Sequence, residues 1–99
     1  QRLRFIEVEG ARRLALTLPV RSGAVFSGSP SLSAGVDGIS YTIAGSENLQ
    51  DWEMPVIEVT PADSDGLPAL NAGWEYRSFI IDSDPGRRAF VQALFGSGS

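Results

Sequence analysis

Ninety-nine residues and 10.6 kDa, 42% hydrophobic and 20% charged, suit one compact core and exclude a disordered chain. His, Cys and Lys are absent and all eight bases are Arg, which excludes Ser-His-Asp and Cys-His catalysis, Schiff-base lysines, Walker-type phosphate lysines, the usual zinc ligands and disulfides. Twelve acids against those eight bases leave a net charge of −4, which argues against nucleic acid and anionic membrane surfaces as partners. No apolar run reaches transmembrane length. The chain begins at Gln1 and is read as a piece of something longer, with 1–95 as the folded module and Gly96-Ser97-Gly98-Ser99 as a flexible tail.

In chain order, Leu3 and Phe5 occupy one parity and Ile6 and Val8 the other, so a first strand is predicted with a bulge near residue 5. Leu14, Leu16, Leu18 and Val20 then share one face, against Arg13, Ala15 and Thr17, in a half-buried strand ending near Pro19. Asp37-Gly38 is the strongest hairpin signal, because both central positions of a type I′ turn need positive φ. Ile39, Tyr41 and Ile43 follow as a core-facing row. Ile57 and Val59 alternate with Glu58 and Thr60, and residues 61–73 form the longest loop. Trp74, Tyr76 and Ile80 point one way in the next strand, with Glu75 and Arg77 opposite; Phe79 and Ile81 predict that its far end is covered on both sides. The segment from Asp84 to Gly96 supports two readings. One is a helix capped by Asp84 with Pro85 at its first position; the other is a Pro85-Gly86 turn followed by a strand.

Two stretches carry a resemblance. The run from Tyr41 to Trp52 (YTIAGSENLQDW) and the pair Gly66–Leu70 and Gly73–Phe79 (GLPAL, GWEYRSF) are similar to small β-sandwich modules near the C-terminal ends of large secreted or surface proteins of environmental bacteria. Phe90-Val91-Gln92-Ala93 resembles their closing strand, with Gln92 where an Arg is expected. The resemblance favours a strand over a helix at the C-terminus. It implies an all-β fold: a single antiparallel sandwich of about seven strands, related in architecture to immunoglobulin and fibronectin type III domains.

Three sets of residues are candidates for function. Trp52, Trp74 and Tyr76, with Tyr41, could stack on sugar rings, although the alternation places most of them in the core and a Trp near a loop can close a small sandwich. Ser46 is expected to cap the turn 47–49 while Leu49 and Trp52 fold over the open end. Asp63-Ser64-Asp65-Gly66 and Asp82-Ser83-Asp84 imitate the start of an oxygen-ligand loop. The loops at 46–53 and 82–87 are expected at the same end, gathering Glu47, Asp51, Glu53, Asp82 and Asp84 as a calcium cluster; backbone capping by Asp is the competing explanation. A carboxylate pair could also run glycoside hydrolysis, but so short a chain has little left over for a deep cleft. The expected role is therefore a non-catalytic accessory module of an extracellular bacterial protein, without cofactor, acting as spacer, cap or attachment domain beside other domains. Calcium- or glycan-binding adhesion is the alternative, and a hydrolase fragment a weaker one.

Overall fold

The structure, a computed structural model, describes residues 2–81 and 90–97. Seven strands run in order: β1 Arg2–Val8, β2 Ala11–Arg21, β3 Leu32–Val36, β4 Ile39–Ser46, β5 Val56–Val59, β6 Trp74–Ile81 and β7 Phe90–Ser97. They form a four-stranded antiparallel sheet, β1-β2-β6-β5, packed on a three-stranded one, β3-β4-β7. This is the expected all-β sandwich; of the disputed C-terminal segment Phe90–Ser97 is a strand, which takes in Gly96 and Ser97 of the expected tail, and Asp84, Pro85 and Gly86 lie outside the described residues. Lettered in chain order the sheets read ABFE and CDG, where the immunoglobulin constant-type order is ABED and CFG. Among the described residues no helix is long and apolar enough to cross a membrane.

Two tight turns set the register. Asp37 and Gly38 both have positive φ, 51° and 77°, and join β3 to β4 as a two-residue hairpin, as the sequence predicts. Glu9 and Gly10, at 51° and 82°, join β1 to β2 in the same way. That second turn makes a bulge unnecessary. β1 pairs without interruption from Arg2↔Thr17 to Val8↔Ala11, so Leu3 and Phe5 face inward and Ile6 and Val8 outward on a regular strand. β2 also runs past Pro19 to Arg21. Proline is tolerated there because β1 reaches only to Arg2, opposite Thr17, leaving Pro19 with a neighbour on one side alone, Tyr76 of β6.

The core lies between the sheets. Leu16, Leu18 and Val20 of β2, Phe79 and Ile81 of β6 and Val56 of β5 meet Tyr41 and Ile43 of β4 and Val91 of β7. The Tyr41 ring is buried, its hydroxyl accepting a hydrogen bond from the Arg21 N–H at 3.1 Å. Ser78 through Ile81 are buried on both faces, as expected.

The parity of β5 and β6 differs from the alternation read in the sequence. Val56 and Glu58 face inward and Ile57 is 41% exposed; Arg77, Phe79 and Ile81 face inward, while Trp74 and Tyr76 lie on the outer face. The reason is electrostatic. Arg77 stacks over Phe26 (5.4 Å), donates to the Ala24 carbonyl (3.0 Å) and pairs with Glu58 and with Glu75 (2.9 Å), so every charge of the row is paired where it enters the sandwich. Trp74 is accordingly 38% exposed against the Arg21 guanidinium, and is not a core residue. Trp74→Ala is expected to cost about 1 kcal/mol in urea unfolding, well below the loss of ~3–5 kcal/mol for a buried large aromatic.

Candidate functional site

The densest polar constellation sits on the outer face of the four-stranded sheet, under the loop joining β5 to β6. Arg2 and Arg4 are two apart on β1, so the strand's period of two sends both guanidinium groups to that face. They close on Asp63 from two directions. Arg2 Nη2 donates to Asp63 Oδ2 at 3.0 Å and to the Asp63 carbonyl at 2.7 Å, and Arg2 Nη1 donates to the Asp65 carbonyl at 2.7 Å. Arg4 Nε donates to Oδ2 at 2.6 Å and Arg4 Nη2 to Oδ1. Behind the carboxylate, the Asp63 N–H donates to Ser78 Oγ at 2.8 Å, and Ser78 Oγ lies 2.6 Å from Thr17 Oγ1 in the buried centre of the sheet. The hydrogen bond from Arg4, reinforced by the charges of Arg4 and Arg2, holds the Asp63 carboxyl below the usual carboxylate range despite its desolvation. Asp63 therefore belongs to a clamp that ties the loop to the sheet. The sequence presented it as the first residue of an oxygen-ligand loop; both its oxygens are already accepting from arginine.

Three depressions open near this clamp. One of about 640 Å³ crosses the outer face between Ile6, Val8, Ile57 and Val59, with Glu7 and Glu9 at its rim. One of about 400 Å³ lies beside Glu58, Glu75, Tyr76 and Arg77. One of about 320 Å³ lies under Pro68 and Leu70, beside Trp74 and Tyr76. In the depression of about 400 Å³ the two carboxylates, Glu58 and Glu75, are both held by Arg77. That arrangement suits packing better than proton transfer, because a carboxylate held by guanidinium is a poor general acid.

The sugar-platform candidates are separated. Tyr76 donates from its hydroxyl to the Pro68 carbonyl at 2.5 Å and borders the same depression as Trp74. Trp52, half-buried, follows β4 at the opposite end of the sandwich, beyond Ser46. Among the described residues Trp52 and Leu49 do not join the core cluster; Leu49 is 57% exposed with φ 65°, while Trp52 is half-buried. The turn itself forms as predicted: the buried Ser46 Oγ accepts from the N–H groups of Asn48 (3.1 Å) and Leu49 (2.8 Å). Asn48 Oδ1 accepts from Gln50 and Asp51, both at 2.8 Å, which closes the loop on its own backbone.

Of the calcium candidates, Glu47, Asp51 and Glu53 are exposed in this β4–β5 loop, and Asp51 accepts from the Asn48 amide at 3.2 Å. Asp82 and Asp84 lie outside the described residues, as do Arg87 and Arg88. Among the described residues no three carboxylates are grouped to hold a metal ion. A scan against protein-family models and searches of curated proteins and of solved structures find no match to this chain.

The clamp escaped the sequence reading. Its one local signal is the pair of arginines sharing a strand face, and nothing local points to a partner about sixty positions away.

Proposed function

We propose that this chain is a non-catalytic accessory module of an extracellular bacterial protein, a β-sandwich that serves as a spacer, cap or attachment domain beside other domains of its parent. The observation that carries this reading is the Arg2–Arg4–Asp63 clamp. Among the described residues the most elaborate polar cluster is engaged in fastening a loop to a sheet, and the Glu58–Arg77–Glu75 set in pairing the charges at one end of the core. Secretion and bacterial origin are taken from the resemblance of the Tyr41–Trp52 and Gly66–Phe79 motifs.

Thermal melting tests the reading. The melting temperature is expected to be the same in calcium, in EDTA and across a panel of cell-wall and plant glycans. A ligand at a hundred times its dissociation constant adds about 2.7 kcal/mol, a shift of many degrees for a domain of this size. A calcium-dependent rise that disappears in Asp51→Asn would replace the accessory role with metal-dependent adhesion.

A further inference from the structure

The two sheets are unequal, and the mismatch falls on one side. β7 lies against β2 and β6 of the larger sheet, while β4 lies against β5. Among the described residues the free edge of β7 therefore faces the β1 side, and β1 overhangs it with no described strand beneath. Its inward residues, Leu3 and Phe5, are 52% and 57% exposed for that reason. Phe95, inward on β7, is 59% exposed at the same open side.

We propose that the edge of β7 accepts one extended strand from another polypeptide, a fourth strand for the smaller sheet, lying beneath β1. Comparison with the other edges favours this position. β5 has four residues between Pro55 and Pro61, β3 has five, and β1 carries Arg2, Arg4 and Glu7, the usual guards against strand addition. β7 has eight residues and not one charge. The occupant's chemistry follows from what it would touch. Alternate side chains would face Leu3, Phe5 and Phe95 and so must be apolar. Arg12 lies over the Phe5 ring at 4.7 Å and, although Glu7 stands opposite it in the register, makes no ion pair among the described residues, so its guanidinium is open to a carboxylate of the occupant at that end. Main-chain hydrogen bonds to β7 supply the rest. A second copy of this chain is a poor occupant. Pairing β7 with β7 would set them about 4.8 Å apart, and the overhanging β1 of each copy would need the same space. The vacancy is a property of the sheets and does not depend on the accessory role proposed above.

The test is titration, followed by amide NMR and hydrogen exchange, with a synthetic peptide that alternates threonine and valine and carries one glutamate in the valine row near its C-terminal end. Saturable binding is expected, with slowed exchange confined to β7 amides, and it should be lost when the peptide backbone is N-methylated at alternate residues. Leu3→Thr with Phe5→Thr should weaken binding by about tenfold or more while leaving the melting temperature near that of the parent, since both side chains are exposed. Arg12→Gln should weaken the glutamate peptide and leave its glutamine counterpart unchanged. Binding that maps to the β3 or β5 edge, concentration-dependent self-association protecting β7, or no saturation at millimolar peptide would each overturn the proposal.

Discussion

Replacing Asp63 with alanine is expected to destabilise the protein by about 2 kcal/mol at neutral pH, even after allowance for the partial solvent exposure of its partners. The change removes, at one stroke, the side-chain acceptor for Arg2 Nη2 and for both donors of Arg4. It also leaves two guanidinium groups facing each other across the sheet's outer surface, in a chain where Arg2 Nε is already buried without a partner. Asp63→Asn should cost less, because one acceptor oxygen survives. The effect should depend on pH with a definite sign. The Arg4 hydrogen bond and the two arginine charges depress the folded-state pKa of Asp63, so its stabilisation is fully present above the unfolded carboxylate value of about 3.9. That stabilisation fades as pH falls below this value and through the folded one. Urea unfolding of parent and Asp63→Ala at neutral pH and near pH 3 should therefore give a gap that narrows in acid; an equal gap at both would remove the carboxylate from the account.

Gly45→Val is expected to be at least as damaging, at about 3 kcal/mol, for a reason of space. Gly45 shares the inner face of β4 with Tyr41 and Ile43, against Ile81 of β6 and Val56 of β5. A Cβ there would stand 2.8 Å from Ile81 Cγ1, 3.0 Å from Ile81 Cδ1 and 3.2 Å from Val56 Cγ2. The first of these atoms is near the root of its side chain and can leave only by a change of χ1, which would put the buried Ile81 into a new rotamer within the packed core. Gly45→Ala should cost about half as much. Adding Ile81→Val, which removes Cδ1, should recover part of the loss, so the two changes should combine to less than their sum. Thermal melting of the single and double variants measures this. A Gly45→Ala protein that melts like the parent would mean that the sheets stand farther apart than described.

The alternation of apolar residues was readable where the opposite face carries small or polar side chains, such as Ala15 and Thr17 of β2, even though these are buried too. Leu16, Leu18 and Val20 of β2 and Tyr41 and Ile43 of β4 lie where the pattern puts them, and Asp37-Gly38 turns as its residues require. The pattern misleads on β5 and β6 because both faces there hold apolar side chains. With Ile57, Val59 and Ile80 on one side and Val56, Phe79 and Ile81 on the other, period two alone cannot name the inner face. What decides it is the inward Arg77, made tolerable by Glu58 and Glu75, and such a paired set has no local signature. The aromatic residues misled for a related reason: Trp74 and Tyr76 looked like core because of size and parity, yet they line the outer face beside Pro68. The clamp on Asp63 was illegible because its partners are far apart in sequence, and an Asp-Ser-Asp-Gly run looks the same whether it faces a cation or an arginine.

The strand order also governs how the chain reaches this state. Three pairings, β1 with β2, β3 with β4 and β5 with β6, join neighbours in sequence and can form early. The two that unite them into sheets, Leu16 with Phe79 and Tyr41 with Phe95, span most of the chain. Their closure entropy must be met before any core contact rewards it. Folding is thus set by the encounter of preformed hairpins, on a scale of about milliseconds to seconds typical of sandwiches. Until β6 docks on β2, Ser78 cannot reach Thr17 and the long loop has nothing to fasten to. The Asp63 clamp is consequently among the last interactions made, so its loss should speed unfolding and leave the refolding rate nearly unchanged.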